Sequence, residues 1–294
     1  MKKKYLKYFE LAVSIAVTAG FIYLFYAVIG FDKFVSFFTQ IQPVNIVIAF
    51  ILYTLSYVTR AFRWKLTLSI DQFGKLFRIT AFNTVFNIFL PFRTGELSFF
   101  YMLKKENIPV SESAISFISV RIFDAVSLFA VFGMAYFIFK GSLIAGIAVI
   151  LAAPLIPVIL KAVTGFIKHQ KLSQFRNTKL TLRNIGILYF LSVLTFILKF
   201  TAFYLVLPSG LDLPFSQAFF AAAAGDITTI LPIHGIAGIG TYEGGYAGAL
   251  ILIGVDKEKA LLASVFAHIF MLAGAAIIAG FSYLFIGKDP RKGS

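Results

Sequence analysis

Nine ionisable residues lie inside long apolar stretches of this sequence. They are Arg93, Glu96, Arg121, Asp124, Lys199, Asp226, His234, Glu243 and His268. A charged side chain at the centre of a membrane-spanning helix costs about 2.5–3.5 kcal/mol on insertion scales. If these stretches cross a membrane, the nine side chains must pair with one another or line a polar cavity. There they could bind a phosphate, an amine, a cation or a proton.

Arg121 and Asp124 stand three residues apart in the stretch VRIFD, which places them on one face of a helix. One interpretation is a self-neutralised pair that holds helices together. The other is that Arg121 also reaches Glu96 or a substrate phosphate while Asp124 orients its guanidinium group. A planar guanidinium group binds phosphate through two parallel hydrogen bonds. Both interpretations stay open at this point.

Glu96 follows Gly95, and Glu243 lies between Gly240 and Gly244, in TGE and GTYEGG contexts that interrupt an apolar run. A carboxylate early in a helix can accept free backbone N–H groups at the positive end of the helix dipole. Alternatively, each carboxylate forms a proton or cation site, or a partner for a headgroup amine. Arg93, between Pro91 and Glu96, either snorkels to the surface or contacts a phosphate.

The remaining four residues are secondary candidates. Lys199 lies in mid-span, so we expect it to face other helices, either as a helix–helix contact or as a contact to lipid phosphate. Asp226 is expected to bond the neighbouring hydroxyls of Thr228 and Thr229. His234 and His268 are isolated histidines for which hydrogen-bonded packing is the simpler interpretation.

Nothing in the sequence resembles a nucleophile with its base, and no spacing matches a metal site or a phosphate-binding loop. There are no cysteines, which excludes disulfides and thiolate sites. We therefore predict that the protein is not an enzyme and needs no cofactor or metal.

The composition predicts an all-α polytopic membrane protein. Of 294 residues, 59% are hydrophobic and 14% are charged, with a mean hydropathy of +0.88. Soluble domains are about half apolar and a quarter charged, and a helix needs about 20 apolar residues to span a bilayer. Six stretches meet that length, namely 9–31, 44–62, 113–139, 141–161, 184–207 and 260–286.

The net charge of +14 is explained by topology and does not call for a nucleic-acid partner. With both termini in the cytoplasm, 20 of the 27 lysines and arginines fall in cytoplasmic segments, and only four fall in outside loops. This bias obeys the positive-inside rule. It predicts a multi-pass protein of the cell membrane, and it leaves homodimerisation open.

Two weaker apolar regions, 76–103 and 214–254, are interrupted by proline, glycine and charge. The arms of the first region, Ile79 to Leu90 and Leu97 to Leu103, are too short to cross, which favours a re-entrant hairpin made of broken helices, and we expect a second hairpin in the other region, whose arms are about 20 residues long. Full crossings, up to ten in total, are the alternative, because either arrangement returns the chain to the same side.

The two regions resemble each other. Leu90-Pro91 aligns with Leu231-Pro232, Glu96 aligns with Glu243, and Arg121 and His268 each follow their glutamate by 25 residues. This pattern predicts one membrane domain, 1–294, built as an inverted repeat with halves of about 1–139 and 141–287. Inverted repeats with broken helices near the midplane are typical of secondary transporters.

The stretches FLPFRTGEL (89–97), SAISFISVRIFDAVSLF (113–129) and ILPIHGIAGIGTYEGG (230–245) resemble the lysylphosphatidylglycerol synthase transmembrane-region family. The resemblance covers nearly the whole chain and implies lipid translocation between leaflets by a stand-alone member. It points to Arg93, Glu96, Arg121, Asp124 and Glu243 as substrate or proton-binding residues. The soluble aminoacyl-transferase domain of the synthases is absent, so the resemblance does not imply lipid synthesis.

The leading functional hypothesis is a flippase-like translocase that moves a phospholipid or a lipid-linked headgroup through a central polar cavity. A membrane-embedded transferase, or an accessory subunit acting on lipid-linked sugar or aminoacyl-lipid, is the first alternative. A secondary transporter for small solutes is the second. The predicted partner is a membrane lipid in the first two cases.

Overall fold

The computed structural model describes residues 2–90, 95–166, 181–229 and 235–286, which form α-helices joined by turns and two short 3₁₀ segments. The helices of these residues are α1 (Lys2–Val28), α2 (Phe31–Phe38), α3 (Pro43–Thr67), α4 (Phe73–Phe89), α5 (Glu96–Lys105), α6 (Val110–Phe139), α7 (Leu143–Ala152), α8 (Leu155–Phe166), α9 (Leu182–Leu205), α10 (Phe215–Thr228), α11 (Thr241–Leu252) and α12 (Lys257–Phe285).

The predicted all-α polytopic class is confirmed. Among the described residues, five helical stretches are long and apolar enough to cross a membrane, and a bent pair formed by α1 and α2 raises the number to six. The five are Pro43–Thr67, Val110–Phe139, Leu143–Val163, Leu182–Leu205 and Lys257–Phe285. They coincide with five of the six predicted spans to within a few residues, because apolar length is the property that both criteria measure.

The first predicted span, 9–31, differs from expectation at its end. The helix α1 stops at Val28, and α2 begins at Phe31 after a bend of 80°. Gly30 lies at this bend with a φ of 75°, a left-handed conformation that glycine adopts without steric cost. The apolar pattern could not reveal the bend, since it continues on both sides of Gly30.

The two interrupted regions contain short helices. The lengths are 17 residues for α4, 10 for α5, 14 for α10 and 12 for α11. At about 1.5 Å per residue, none is long enough to cross a hydrocarbon core of about 30 Å. Broken helices are therefore present where the sequence predicted them, while their re-entrant course and the inverted repeat stay predictions.

The chain forms two compact units, each assembled from separated segments. The first unit contains Met1–Tyr53, Asn83–Glu96 and Lys199–Ile277. The second contains Thr54–Phe82, Leu97–Leu198 and Ile278–Ser294.

Each unit has its own core. In the first, α10 packs against α11, and the alanines Ala221, Ala222 and Ala223 are fully buried, which allows a close approach of helices. In the second, Trp64 stacks on Phe99 with a centroid distance of 4.5 Å, and Phe99 contacts Phe117 at 5.4 Å. Both cores are therefore made of small and aromatic side chains, and the charged residues below are embedded in them.

Candidate functional site

The first unit contains a buried lysine–aspartate pair. Lys199 on α9 donates from Nζ to both carboxylate oxygens of Asp226 on α10, at 2.8 and 2.6 Å. Lys199 is 7% exposed and Asp226 is 5% exposed. The Lys199 ammonium group also lies 5.5 Å from the ring centroid of Phe203. Lys199 thus faces the protein interior, with its charge neutralised by the Asp226 carboxylate.

The second buried pair joins Glu243 on α11 to His268 near the middle of α12. Glu243 Oε1 lies 2.6 Å from His268 Nδ1, and Glu243 Oε2 accepts the Gly240 N–H at 2.7 Å. Glu243 is 3% exposed and His268 is 1% exposed. Glu243 therefore caps its helix as the sequence indicated, and it also binds a histidine.

This geometry sets the number of protons that the pair holds. His268 Nε2 lies 3.1 Å from the Ala237 carbonyl oxygen, which can only accept, so Nε2 must carry a proton. A second proton must lie between Nδ1 and Glu243 Oε1. The pair is neutral overall whichever group holds this shared proton. Removing that proton would leave a net negative charge in a buried place, which is costly.

The segment before α11 is irregular backbone whose polar groups are satisfied by side chains. The Gly235 N–H donates to Thr241 Oγ1 at 3.0 Å, and the Ile236 N–H donates to Thr18 Oγ1 of α1 at 2.9 Å. Ala237 and Gly240 have φ values of 54° and 85°. Non-helical backbone at membrane depth is tolerated only where such partners exist or where it lines a wet cavity.

The ring of Tyr242 connects the two buried pairs. Its centroid lies 4.8 Å from that of His268, and its edge packs on Gly225, the residue before Asp226. The hydroxyl groups of Tyr242 and Tyr246 are buried and have no hydrogen-bond partner among the described residues. We call Lys199, Asp226, Tyr242, Glu243 and His268 the buried polar cluster.

The contact of Gly225 with Tyr242 leads to a stability prediction. We expect Gly225→Ala to destabilise the protein by about 1–3 kcal/mol through overpacking, because the new Cβ would lie 2.9 Å from Tyr242 Cε2. The matched control is Gly248→Ala on α11, where a Cβ meets nothing within 4 Å. Thermal unfolding in detergent compares them, and equal shifts would contradict close packing at Gly225.

Glu96 is the first residue of α5 and is half-buried, as expected for a carboxylate at a helix N-terminus. The preceding Gly95 passes so close to α4 that a Cβ would lie 2.2 Å from the backbone of Phe86. Only glycine fits there. Arg93 and His234, two further predicted site residues, lie outside the described residues.

In the second unit, the main partner of Asp124 is a residue that sequence analysis did not select. Arg63 on α3 donates from Nη1 to Asp124 Oδ1 and also to Ser192 Oγ at 2.7 Å. Arg121 Nη1 lies 3.9 Å from Asp124 Oδ2, so the predicted pair exists but is the looser of the two contacts. The predicted Arg121–Asp124 pair is therefore present, and Arg63 is a second, closer cation for the same carboxylate.

One expectation for Asp226 is also corrected. Its carboxylate binds Lys199, and neither neighbouring threonine hydroxyl takes it. Thr229 Oγ1 instead donates to the Asp226 backbone carbonyl at 2.7 Å, and Thr228 Oγ1 donates to the carbonyls of Gly225 and Thr241. Threonine hydroxyls commonly bond the carbonyl of the preceding helical turn, which leaves the carboxylate to the stronger cationic donor.

Comparison with protein families identifies the family in which these sites occur. The family model described as the lysylphosphatidylglycerol synthase TM region matches residues 11–279. The chain belongs to this family. A search of curated proteins found no match. The match contains both buried pairs, Arg63 and all nine predicted candidates, so every site described above lies within the lysylphosphatidylglycerol synthase TM region.

Proposed function

We propose that this lysylphosphatidylglycerol synthase TM-region protein is a lipid translocase. It would move a phospholipid or a lipid-linked headgroup between the leaflets of the cytoplasmic membrane and make or break no covalent bond. The observation that carries this proposal is the buried polar cluster, which brings two pairs of ionisable side chains and an unpartnered tyrosine hydroxyl together inside an apolar protein.

The cost of this cluster supports a role beyond stability. Taking an ion pair out of water costs several kcal/mol per ion, and replacing such a pair by apolar residues is often neutral or stabilising. A buried hydroxyl without a partner costs roughly 1–3 kcal/mol more. Ionisable residues within membrane segments are accordingly a functional-site hypothesis by default. A passing headgroup would bond to these groups while its acyl chains stay in the bilayer.

The Glu243–His268 pair offers a means of energising transport. Its two hydrogen-bonded protons keep it neutral, and the loss of one proton would break the contact to Ala237 or the contact between the two side chains. Loss of the Ala237 contact would release the irregular segment 235–240 from His268, and loss of the contact between the side chains would separate His268 from Glu243, which binds the Gly240 N–H at the end of that segment. Protonation from one side of the membrane and release on the other would then couple a proton gradient to the conformation of this segment.

Reconstitution tests the proposal directly. Proteoliposomes with headgroup-labelled phospholipid in both leaflets are treated with an impermeant quencher, and the loss of protected signal reports exchange between leaflets. We expect wild-type protein to accelerate exchange over protein-free vesicles. No acceleration for anionic, zwitterionic and aminoacylated headgroups, with protein of verified folding, would overturn the proposal.

Two further measurements on the same proteoliposomes separate the translocase from the two alternative functions, a transferase and a solute transporter. A transferase would form a new lipid product, detectable by mass spectrometry, when a soluble donor is added. A solute transporter would take up solute into vesicles at a rate independent of lipid headgroup. Leaflet exchange without product and without uptake supports the translocase.

A further inference from the structure

The hydroxyl group of Tyr242 is a polar group that neither pair of the buried polar cluster uses. Tyr242 is 1% exposed, and its hydroxyl has no hydrogen-bond partner among the described residues. A buried hydroxyl without a partner is destabilising, and phenylalanine would fill the same place without it. Phe203, whose ring lies perpendicular to that of Tyr242 at a centroid distance of 6.4 Å, shows that this core accepts phenylalanine. The hydroxyl therefore calls for an explanation other than packing.

The ring of Tyr242 reaches from one buried pair towards the other. On one side it lies against the imidazole ring of His268, with a centroid distance of 4.8 Å and an angle of 38° between the planes. At its hydroxyl end, Cζ would lie 3.1 Å from a Cβ placed on Gly225, the residue before Asp226. Because Cζ carries the hydroxyl oxygen, that oxygen lies beside the helical turn that holds Asp226.

The titratable groups that face Tyr242 come from three helices besides its own. They are Tyr53 on α3, Asp226 on α10 and His268 on α12, together with Glu243 and Tyr246 on α11. The two carboxylates in this set belong to different buried pairs, and both act electrostatically on the Tyr242 hydroxyl. A phenol hydroxyl can donate one proton and accept another. Tyr242 thus lies between two groups that can exchange protons.

We propose that Tyr242 is a proton relay between the two pairs of the buried polar cluster. The O–H bond of Tyr242 breaks, and its proton bonds to a carboxylate oxygen of Asp226. The Tyr242 oxygen takes in exchange the proton shared by Glu243 and His268, so the tyrosine ends as a neutral phenol. One buried water molecule can bridge either gap, since such waters commonly bond polar groups that lack a protein partner. The same steps in reverse return the proton.

Transfer within the cluster avoids much of the electrostatic cost of removing the shared proton. Removal to solvent would leave a net negative charge on the buried Glu243–His268 pair. After transfer, this negative charge faces a positive charge on the other pair, because protonated Asp226 no longer balances the Lys199 ammonium. Opposite charges attract strongly where the dielectric constant is low. A proton taken up at one pair can therefore leave from the other. The relay rests on the proposed proton-coupled translocase and names the path of its proton.

Tyr246 provides a matched comparison one turn further along α11. Its hydroxyl is also buried and has no hydrogen-bond partner among the described residues. Its ring centroid lies 6.1 Å from that of Tyr242. The two differ in their electrostatic surroundings, because carboxylates act on the Tyr242 hydroxyl, whereas burial is what acts on that of Tyr246. Tyr242→Phe and Tyr246→Phe thus remove the same atom, but the first also removes a link between the pairs.

Proton flux tests the relay without any lipid measurement. Proteoliposomes that enclose a pH-sensitive dye are moved to a buffer of different pH, with valinomycin and potassium ions to dissipate the membrane potential. We expect wild-type protein to raise proton flux above that of protein-free vesicles. Tyr242→Phe should lower this added flux by about a hundredfold, as for removal of a positioned proton donor and acceptor, and Tyr246→Phe should keep it. Both variants should unfold at the wild-type temperature or above, since neither loses a hydrogen bond.

The outcomes separate the relay from the translocase. Proton flux that Tyr242→Phe removes and Tyr246→Phe keeps supports the relay, and if leaflet exchange is absent the translocase alone is overturned. Leaflet exchange by wild-type protein without added proton flux overturns the relay and leaves the translocase intact. Equal flux in the two variants, whether high or low, also overturns the relay. A loss of thermal stability in Tyr242→Phe alone would overturn it too, because the hydroxyl would then serve packing.

Discussion

Replacing Lys199 by methionine is expected to lower the free energy of unfolding by about 3–5 kcal/mol, because it leaves the Asp226 carboxylate buried without a counter-ion. Asp226 is 5% exposed, and Lys199 supplies both hydrogen bonds that the structure gives its carboxylate oxygens. Methionine keeps the length of the lysine stem, so the change isolates the charge. Thermal or denaturant unfolding in detergent, followed by circular dichroism, measures the effect.

A double variant separates stability from function. Lys199→Met combined with Asp226→Leu removes both charges, and the loss of stability should largely disappear. Leaflet exchange should nevertheless stay impaired if the pair handles a headgroup. Recovery of both stability and exchange would show that the pair serves packing alone.

The control for Lys199→Met is Lys33→Met. Lys33 pairs with Glu258 at 2.5 Å, but its side chain is 46% exposed. Exposed ion pairs contribute up to about 1 kcal/mol, so this variant should unfold nearly as the wild type does. A similar loss of stability at Lys33 and Lys199 would contradict the claim that burial sets the cost.

The buried pairs show how far the sequence could lead. The spans were predictable because apolar length decides whether a helix can cross a membrane. The Lys199–Asp226 pair was not, because the two residues lie on different helices and no periodicity links them. The sequence did show that Lys199 and Asp226 are isolated charges of opposite sign in otherwise apolar stretches. Two such charges are expected to pair, and this expectation could have linked them.

Glu243 and His268 carried a stronger signal. The offset of 25 residues between them matches the offset between Glu96 and Arg121, and that correspondence already singled out both residues. What the offset could not supply was the contact itself, since the two residues lie on different helices, α11 and α12. The contact depends on how the two helices pack, and no local sequence pattern encodes that packing.

Arg63 was missed for a different physical reason. It follows the predicted span 44–62 by one residue, so it was counted with the cytoplasmic lysines and arginines. The helix α3 continues to Thr67 and turns Arg63 inward. A hint was present at Asp124, whose place near the middle of an apolar helix requires a closer cation than Arg121 supplies.

Glu243→Gln is expected to leave folding intact and to slow leaflet exchange by on the order of tenfold, equivalent to about 1.4 kcal/mol in the barrier. Glutamine can reproduce the hydrogen bonds of the pair. Its oxygen accepts from Gly240, and its amide group donates to Nδ1 of a neutral His268 whose Nε2–H still reaches the Ala237 carbonyl. The amide proton, however, is not released at physiological pH.

The variant therefore keeps the neutral, hydrogen-bonded form of the pair and removes its ability to exchange a proton. In the wild type, the rate of lipid exchange between leaflets should respond to a pH gradient across the vesicle membrane. In Glu243→Gln, the remaining lipid exchange should not respond to it. The matched control is Glu258→Gln on α12, where the same chemical change falls on a half-exposed carboxylate. If both variants respond to the gradient as the wild type does, the shared proton of Glu243 and His268 has no part in transport. The substrate would then move down its own gradient past a static pair.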